Sequence, residues 1–545
     1  MPVNVEQLMR QYERLKDEHQ LWRPLWQDIG DLIRPTRANF TTMRTPGTKQ
    51  TERLFDSTAL TANERLAATL NGTLTNAASN WFALTLRGEL SDDHDVMEWL
   101  EECTRRMHRA LNQSNFHQEL LSIYLDIPSF GTGAILEEER RPEGSNFGGL
   151  VFYSLPLAAI GIDEDSEGRV NTIMRCFRMS AGAIVEKWGL ANVGDKIAKA
   201  FNDGKLSQAF EILHSIRPRL YGADRAPGYG TPKTRLPFES CYIALDDKYP
   251  MAEGGYQEFP AMVPRWDKSP GEKYGRGVGH TALPDVKTLN KEKELALKTW
   301  TKTLDMPMVA EEESLGGPLR TMPNGLTVVR NIEKRPQPLY PPGMFGEQIR
   351  TNSLEEEKLI KSIRDAFYAD LELPEFSLNT ATEVLKRIEM VQRKLGPVVG
   401  RLKAELLRPL IDRTFGIMYR RGALPDPPEL LLENGAEIDV EYQGPLENSQ
   451  RLAAVEGLER TQAWVMQVAQ VYPPILDKFD FDAAADVYGE ITNVPAKVMR
   501  SEEEVAQIRE QRAQEQAEQQ QKADLAMLAE GAGKAAPMVK ALAPA

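Results

Sequence analysis

Residues 380–422 read TATEVLKRIEMVQRKLGPVVGRLKAELLRPLIDRTFGIMYRRG. Thr380 and Glu383 have the spacing of a capping box, so a helix is expected to start here with its first amides satisfied. Val384, Ile388, Val391, Leu395, Val398, Leu402 and Leu406 then recur at helical intervals and form one apolar stripe. Gly396-Pro397 falls inside the stripe. Proline lacks an amide hydrogen and crowds the carbonyl one turn back, so a kink is expected there rather than an end. Arg387, Lys394, Arg401 and Arg408 repeat every seven residues along one flank, and Lys386 and Arg393 widen that cationic face. Between Ala381 and Gly422 there are ten Lys or Arg against four Asp or Glu, in a chain of net charge −14. Two readings stay open: a solvated face above an ordinary core helix, or a rigid strut that shows positive charge to a polyanion.

At 545 residues the chain is too long for one core. Its acidic balance argues against a tight, sequence-reading DNA binder, which usually carries a basic excess. A protein that lets nucleic acid pass without gripping it is compatible with it. Cys103, Cys176 and Cys241 are far apart and form no CxxC pair, so buried thiols in a reducing compartment are expected. The N-terminal stretch is polar and no apolar run reaches the roughly 18 residues of a membrane span, so a soluble, cytoplasmic product is expected.

Working outward, residues 4–34 read as a helix or helix pair, with Pro24 marking a break or restart. Ser57–Thr75 is helical, Asn80–Leu84 a strand, and Asp92–Ile127 one long helix. Phe130-Gly131-Thr132-Gly133 is a tight turn into the strand Ala134–Glu138. From Leu150 to Met179 the period becomes two, giving strand, turn and strand, with Asp163–Gly168 as the turn. Ala181–Gly189 is a short helix. Strands return over Arg235–Met262, and 220–234 and 249–258 read as Gly- and Pro-rich loops.

Ala282–Leu304 is a two-faced helix. Lys287, Lys291, Lys298 and Lys302 share an arc of about 60°. Leu289, Ala296, Leu297, Trp300 and Leu304 lie opposite. Two β-type pieces follow, 307–310 and 326–329, among many Pro and Gly. Asn352–Asp370 is helical, and Leu371–Asn379 is a loop ending at the capping box. Past the long helix come a proline-rich stop at Ala423–Pro428, a brief strand at Glu437–Tyr442, and helices over Leu446–Gln470 and Ala496–Leu528. Residues 529–545 read as a mobile tail.

No catalytic pattern stands out. Gly275-Arg276-Gly277-Val278-Gly279 lacks the spacing of a dinucleotide loop and reads as a turn. Asp163–Gly168 mimics the start of a calcium loop, but the twelfth position is Met174, so a hairpin turn is expected. No histidine pair has zinc spacing, and no nucleophile elbow is present. The expectation is no catalytic residue, no metal and no cofactor.

The order of these pieces resembles the portal (head-to-tail connector) proteins of tailed bacteriophages, specifically those of short-tailed, T7-like phages. Phe55-Asp56-Ser57-Thr58, then Leu66-Ala67-Ala68 and Trp81-Phe82-Ala83-Leu84, resembles the family's Asp-Ser-Thr helix followed by Trp-Phe. Asp126–Gly133 resembles its Phe-Gly-Thr turn. Arg265-Trp266, Tyr274-Gly275-Arg276-Gly277, Leu283-Pro284-Asp285 and Leu289-Asn290 resemble its approach to the stem. Thr380–Val384 with Arg387, Leu395-Gly396-Pro397 and Arg401-Leu402 is the most specific match.

The resemblance implies an α+β, predominantly helical fold of wing, stem, clip and crown in a closed ring of about twelve copies. Residues 1–280 would be the wing, 281–304 and 352–370 the stem helices, and 305–351 the clip. The tunnel loop would be Leu371, Glu372, Leu373, Pro374, Glu375, Phe376, Ser377, Leu378 and Asn379. The long helix would span 380–422, a return to the wing 423–445, the crown helices 446–528 and the tail 529–545. Implied partners are double-stranded DNA passing without sequence preference, major capsid and scaffolding proteins, terminase, tail adaptor and internal core proteins, with no membrane. The implied place is the portal vertex of the virion, and the host cytoplasm during assembly. Lys287, Lys291, Lys298 and Lys302 would face DNA, or would pair with Glu355–Glu357 of a neighbouring copy. Other readings are a nucleic-acid-processing enzyme with a carboxylate metal site, and a structural adaptor without a channel.

Overall fold

The computed structural model describes residues 4–42, 45, 47–86, 93–140, 147–219, 232–304, 308–311, 322, 325–329, 337–338, 346–369, 394–434, 438–443, 445–491, 505–519 and 522. The chain divides into two compact units. The first takes Met1–Phe82, Arg105–Leu424 and Tyr442–Leu446; the second takes Ala83–Thr104, Pro425–Glu441 and Glu447–Ala545.

In chain order the elements begin with α1 (Val5–Leu32), α2 (Thr58–Leu74), β1 (Phe82–Leu86), α3 (His94–Asn112) and α4 (Phe116–Phe130). Next come β2 (Ile135–Glu139), β3 (Leu150–Ser154), β4 (Ile160–Glu164), β5 (Val170–Ser180), α5 (Ala181–Trp188), α6 (Asp195–Asn202), β6 (Ala209–Pro218), β7 (Phe238–Ala244), β8 (Tyr249–Tyr256) and β9 (Ala261–Met262). Then follow α7 (Val278–Leu304), β10 (Met308–Glu311), β11 (Leu326–Val329), β12 (Gln337–Pro338) and α8 (Gly346–Ala366). The long helix α9 is described over 394–420; a π turn at Lys403–Leu407 interrupts it before Arg408–Arg420. Further helices are Glu429–Asn434, Pro445–Ala469 and Phe481–Ile491, and β13 is Ile438–Tyr442. The fold is thus α+β and mostly helical.

The largest sheet of the first unit is an antiparallel meander, β4-β5-β6-β7-β8. Its register places Ile212 opposite Ala244 and Leu213 opposite Ile243, so neighbouring pairs point to opposite faces. One face packs Phe210, Ile212, Ala244 and Met251 against Ala181, Ile184 and Ile197 of α5 and α6. The other packs Met174, Leu213, Cys241 and Ile243 against Leu8 and Leu15 of α1. A sheet buried on both faces explains why β6 has a nearly continuous buried run. A second sheet, β3-β2-β9, is also antiparallel.

Several expectations need correction. Pro24 does not break α1, which runs through it as one helix. The stretch 92–127 holds two helices, because the chain turns at Gln113–Asn115 and Asn115 is tied to Phe152 of β3 in both directions, at 2.8 and 2.9 Å. The strand expected at Asn80–Leu84 is shifted to Phe82–Leu86. Residues 150–179 contain three strands, and the first pairs in a different sheet from the other two. The segment 249–258 is mostly strand β8, at the sheet edge, where Pro250 and Gly254 cost little. Strands β6 and β8 and the helices α6, Glu429–Asn434 and Phe481–Ile491 were not expected. Helix α7 begins at Val278 rather than 281 or 282, and α8 spans Gly346–Ala366 rather than 352–370. The Asp163–Gly168 turn is as expected: Asp165 Oδ1 accepts from the Glu167 and Arg169 amides at 2.9 Å each, and Gly168 has φ +78°. No described helix is long and apolar enough to cross a membrane.

Candidate functional site

Sequence pieces that lie far apart in the chain meet along α7 and at the segment that leads into it. The Asn290 side chain accepts from the Phe55 and Asp56 amides at 2.7 and 3.2 Å and donates to the Arg53 carbonyl at 2.9 Å. That clasp fixes the turn ahead of α2. Asp56, not Ser57, caps the helix, accepting from the Thr58 amide at 2.8 Å.

The Gly131–Gly133 turn closes onto the segment before α7. The Trp266 amide donates to the Gly131 carbonyl at 2.9 Å, and the Gly275 amide to Thr132 Oγ1 at 2.8 Å. A Cβ on Gly131 would run into the backbone of Gly275 and Gly277, and one on Gly277 into the Pro128 carbonyl. The glycine run 275–279 therefore serves close backbone packing; it does not form the expected turn, since 275–277 lead into α7 and Val278-Gly279 are its first residues.

An ion-pair network locks α9 to the same place. Arg265 is 2% exposed. It donates to both oxygens of Glu405, from Nη2 at 2.7 Å and from Nε at 3.1 Å, and also to Glu164 and the Gly168 carbonyl. Lys268 bonds Glu164 at 2.7 Å. Lys273 bridges Asp163 at 2.8 Å and Glu18 of α1 at 2.6 Å. A guanidinium as buried as that of Arg265 is tolerable only because it is paired and hydrogen-bonded. Glu405 lies in the π turn. Pro409 follows four residues later, and its ring crowds the Glu405 carbonyl and offers it no amide.

A second joint holds the lower part of α9. Arg413 donates to the Glu137 carbonyl at 3.2 and 3.3 Å and to the Glu258 carbonyl at 3.0 Å, and Thr414 donates to Glu137 Oε1 at 2.9 Å. Burial pushes the Glu137 carboxyl up to about 7, against the pull of Arg413 and Thr414.

Helices α7 and α8 lie antiparallel: Asp285 accepts from Ser362 at 2.7 Å, and farther along Lys293 pairs with Glu356. The lysine arc of α7 lies on the side away from these contacts. Lys287 bonds Asp28 of α1 at 2.6 Å, while Lys291 and Lys298 share Glu294, the first at 2.8 Å. Within the chain none of these three pairs with Glu355–Glu357. The Lys302 side chain lies outside the described residues. Of the residues expected opposite the arc, Leu289 is buried, but Leu297 and Trp300 are 47% and 50% exposed.

On α9, Lys394, Gly396 and Pro397 are exposed, and the helix continues through Gly396-Pro397. Arg401 lies 3.7 Å from Asp267, and Arg408 bonds Asp412 at 3.0 Å. The cap residues Thr380 and Glu383, the basic residues Lys386, Arg387 and Arg393, and the whole loop Leu371–Asn379 lie outside the described residues.

Residues 5–499 match the family described as "Bacteriophage head to tail connecting protein". The chain belongs to this connector family. The connector is 29% identical to the portal protein of Salmonella phage epsilon15, over 94% of this chain and 91% of that protein. It is 31% identical to the probable portal protein of Bordetella phage BPP-1, over 97% of this chain and 94% of that one.

Sequence reasoning singled out Leu289-Asn290 and Phe55-Asp56 as separate fragments, without the contact between them, and Arg265-Trp266 without its partners. It missed Glu405, Arg413 and Pro409 altogether. One signal was present: a proline deep in an apolar stripe, four residues after a glutamate.

Proposed function

We propose that copies of this connector close into a ring of about twelve around a channel for double-stranded DNA, built from one interface repeated until it closes. The observation that carries the reading is the α7–α8 rod. Its lysine edge points away from α8, while Leu295, Leu297, Trp300 and Leu354 are all 47% or more exposed in the single chain. Large exposed apolar side chains beside a charged edge suit a rod packed between neighbours in a ring, with the charge left facing an open space. The portal names of both relatives support the same reading.

In this ring 305–351 forms the clip, 371–379 the tunnel loop and 446–528 the crown. The ring sits at one capsid vertex and seeds shell assembly with the major capsid and scaffolding proteins. It docks terminase during DNA entry, then the tail adaptor and internal core proteins, before DNA leaves by the same path. It is assembled in the host cytoplasm and does no catalysis. Contacts of the lysine edge with DNA are to phosphate, so they carry no sequence information. Charge reversal at Lys291 and Lys298 tests the channel role. Rings should still form while DNA retention or packaging changes. Rings that fall apart would mean that these lysines hold subunits together instead.

A further inference from the structure

The lysine edge of α7 carries its own counter-charge. Glu294 bonds Lys291 at 2.8 Å and also takes Lys298, and Asp28 bonds Lys287 at 2.6 Å. Spacings of three and four residues put Glu294 between its two lysines on one helix face, so this grouping follows from the helix itself. Glu294 is ionised at any neutral pH, because hydrogen bonds from Lys291 and Lys298 hold its carboxyl down at about 2. Among the described side chains, two carboxylates against Lys287, Lys291 and Lys298 leave one net positive charge from three. Around these three lysines the edge is therefore weak in net charge yet rich in ammonium groups.

We propose that Glu294 sets how firmly this face holds duplex DNA, by competing with phosphate for Lys291 and Lys298. The inference rests on the reading that the lysine edge of α7 looks onto the channel. Exposed ion pairs are weak, so a passing phosphate can take a lysine from Glu294 and return it as the duplex advances. Each lysine then exchanges one anion for another and is never left without one. A duplex held only by such exchanges slides, whereas bare lysines would pin it through counterion release at every subunit. Glu294 does not touch DNA; it is a positioning residue that acts through the two lysines.

The test uses the assembled full-length protein and a short linear duplex, with retention measured between roughly 50 and 200 mM salt. Glu294→Gln should raise retention about tenfold at low salt and steepen the salt slope by about 1 or more. The double variant K291Q/K298Q should weaken retention and flatten the slope. The triple variant K291Q/E294Q/K298Q should match that double variant, because Glu294 has no one left to hold. If K291Q/K298Q retains DNA as the wild type does, the channel-face reading fails and the role of Glu294 falls with it. If K291Q/K298Q weakens retention but Glu294→Gln changes nothing, the channel face stands and the role of Glu294 is overturned. If Glu294→Gln strengthens retention equally without the lysines, the effect is general field rather than competition, and the proposal is again overturned.

Discussion

Arg265, ahead of α7, and Glu405, in the π turn of α9, form a buried three-point contact. Glu405 Oε2 accepts from the Arg265 backbone amide at 2.8 Å and from Nε at 3.1 Å, and Oε1 accepts from Nη2 at 2.7 Å. Helix and approach segment are 140 residues apart in the chain, and this contact ties them.

Removing the cation leaves Glu405 and Glu164 facing each other without it. Arg265→Met should cost about 3–5 kcal/mol, seen as a lower denaturant midpoint. Replacing both partners, as R265M/E405L, should recover part of that loss, since an apolar pair leaves one fewer stranded charge. With E405L measured as the second single variant, losses that simply add in the double variant would show that the two residues do not act on each other.

The Asn290 clasp is a smaller, more local contact. Asn290→Ala removes three hydrogen bonds at a half-exposed site where water can replace them, and should cost about 0.5–1.5 kcal/mol. Amide hydrogen exchange should rise at Phe55 and Asp56 with little change elsewhere. Asn290→Asp keeps the acceptor for both amides and loses only the bond to Arg53, so its effect should be milder.

Two glycines separate backbone crowding from backbone strain. Gly277→Ala drives a methyl group into the Pro128 carbonyl, which cannot swing aside, so severe destabilisation or failure to fold is expected. Gly271 has φ +82° but nothing near its Cβ position. Gly271→Ala should cost only about 1 kcal/mol, measured by thermal unfolding.

Glu137 gives a pH signature. Its carboxyl is raised from 4.5 to about 7, so the folded state holds a proton that the unfolded chain releases. Below 4.5 both states are protonated and nothing is lost; as pH rises from 4.5 to about 7 the folded state loses stability, and above that the loss is constant. The loss is roughly 3 kcal/mol at most. Glu137→Gln should remove this slope from the stability profile, provided the amide keeps the Thr414 bond. A slope that survives the substitution would point to another group.

The described part of the long helix, from 394 on, was legible. Leu395, Leu402 and Leu406 of the stripe are buried and Lys394 is exposed, as helical spacing requires. Charge partners were not legible, since a count of basic residues does not say that Arg401 lies by Asp267 or that Arg413 is buried against Glu137 and Glu258. Gly396-Pro397 drew attention by composition, yet the π turn lies beside Pro409, where the contact of half-buried Glu405 with Arg265 holds the widened backbone. Strand β6 escaped notice because both of its faces are covered, which erases the alternation that marks a half-exposed strand. Strand β8 escaped because glycine and proline are tolerated at an edge. Along α7 and its approach the fragments were visible, but which of them touch depends on tertiary packing that no local pattern encodes.

Cryo-electron microscopy of the purified protein tests the central claim most directly. The account predicts a closed ring with a central hole, walled by α7 and α8, with Lys291 and Lys298 turned towards the axis. A protein that stays monomeric at high concentration, or a ring whose α7 lysines point away from the hole, would contradict it.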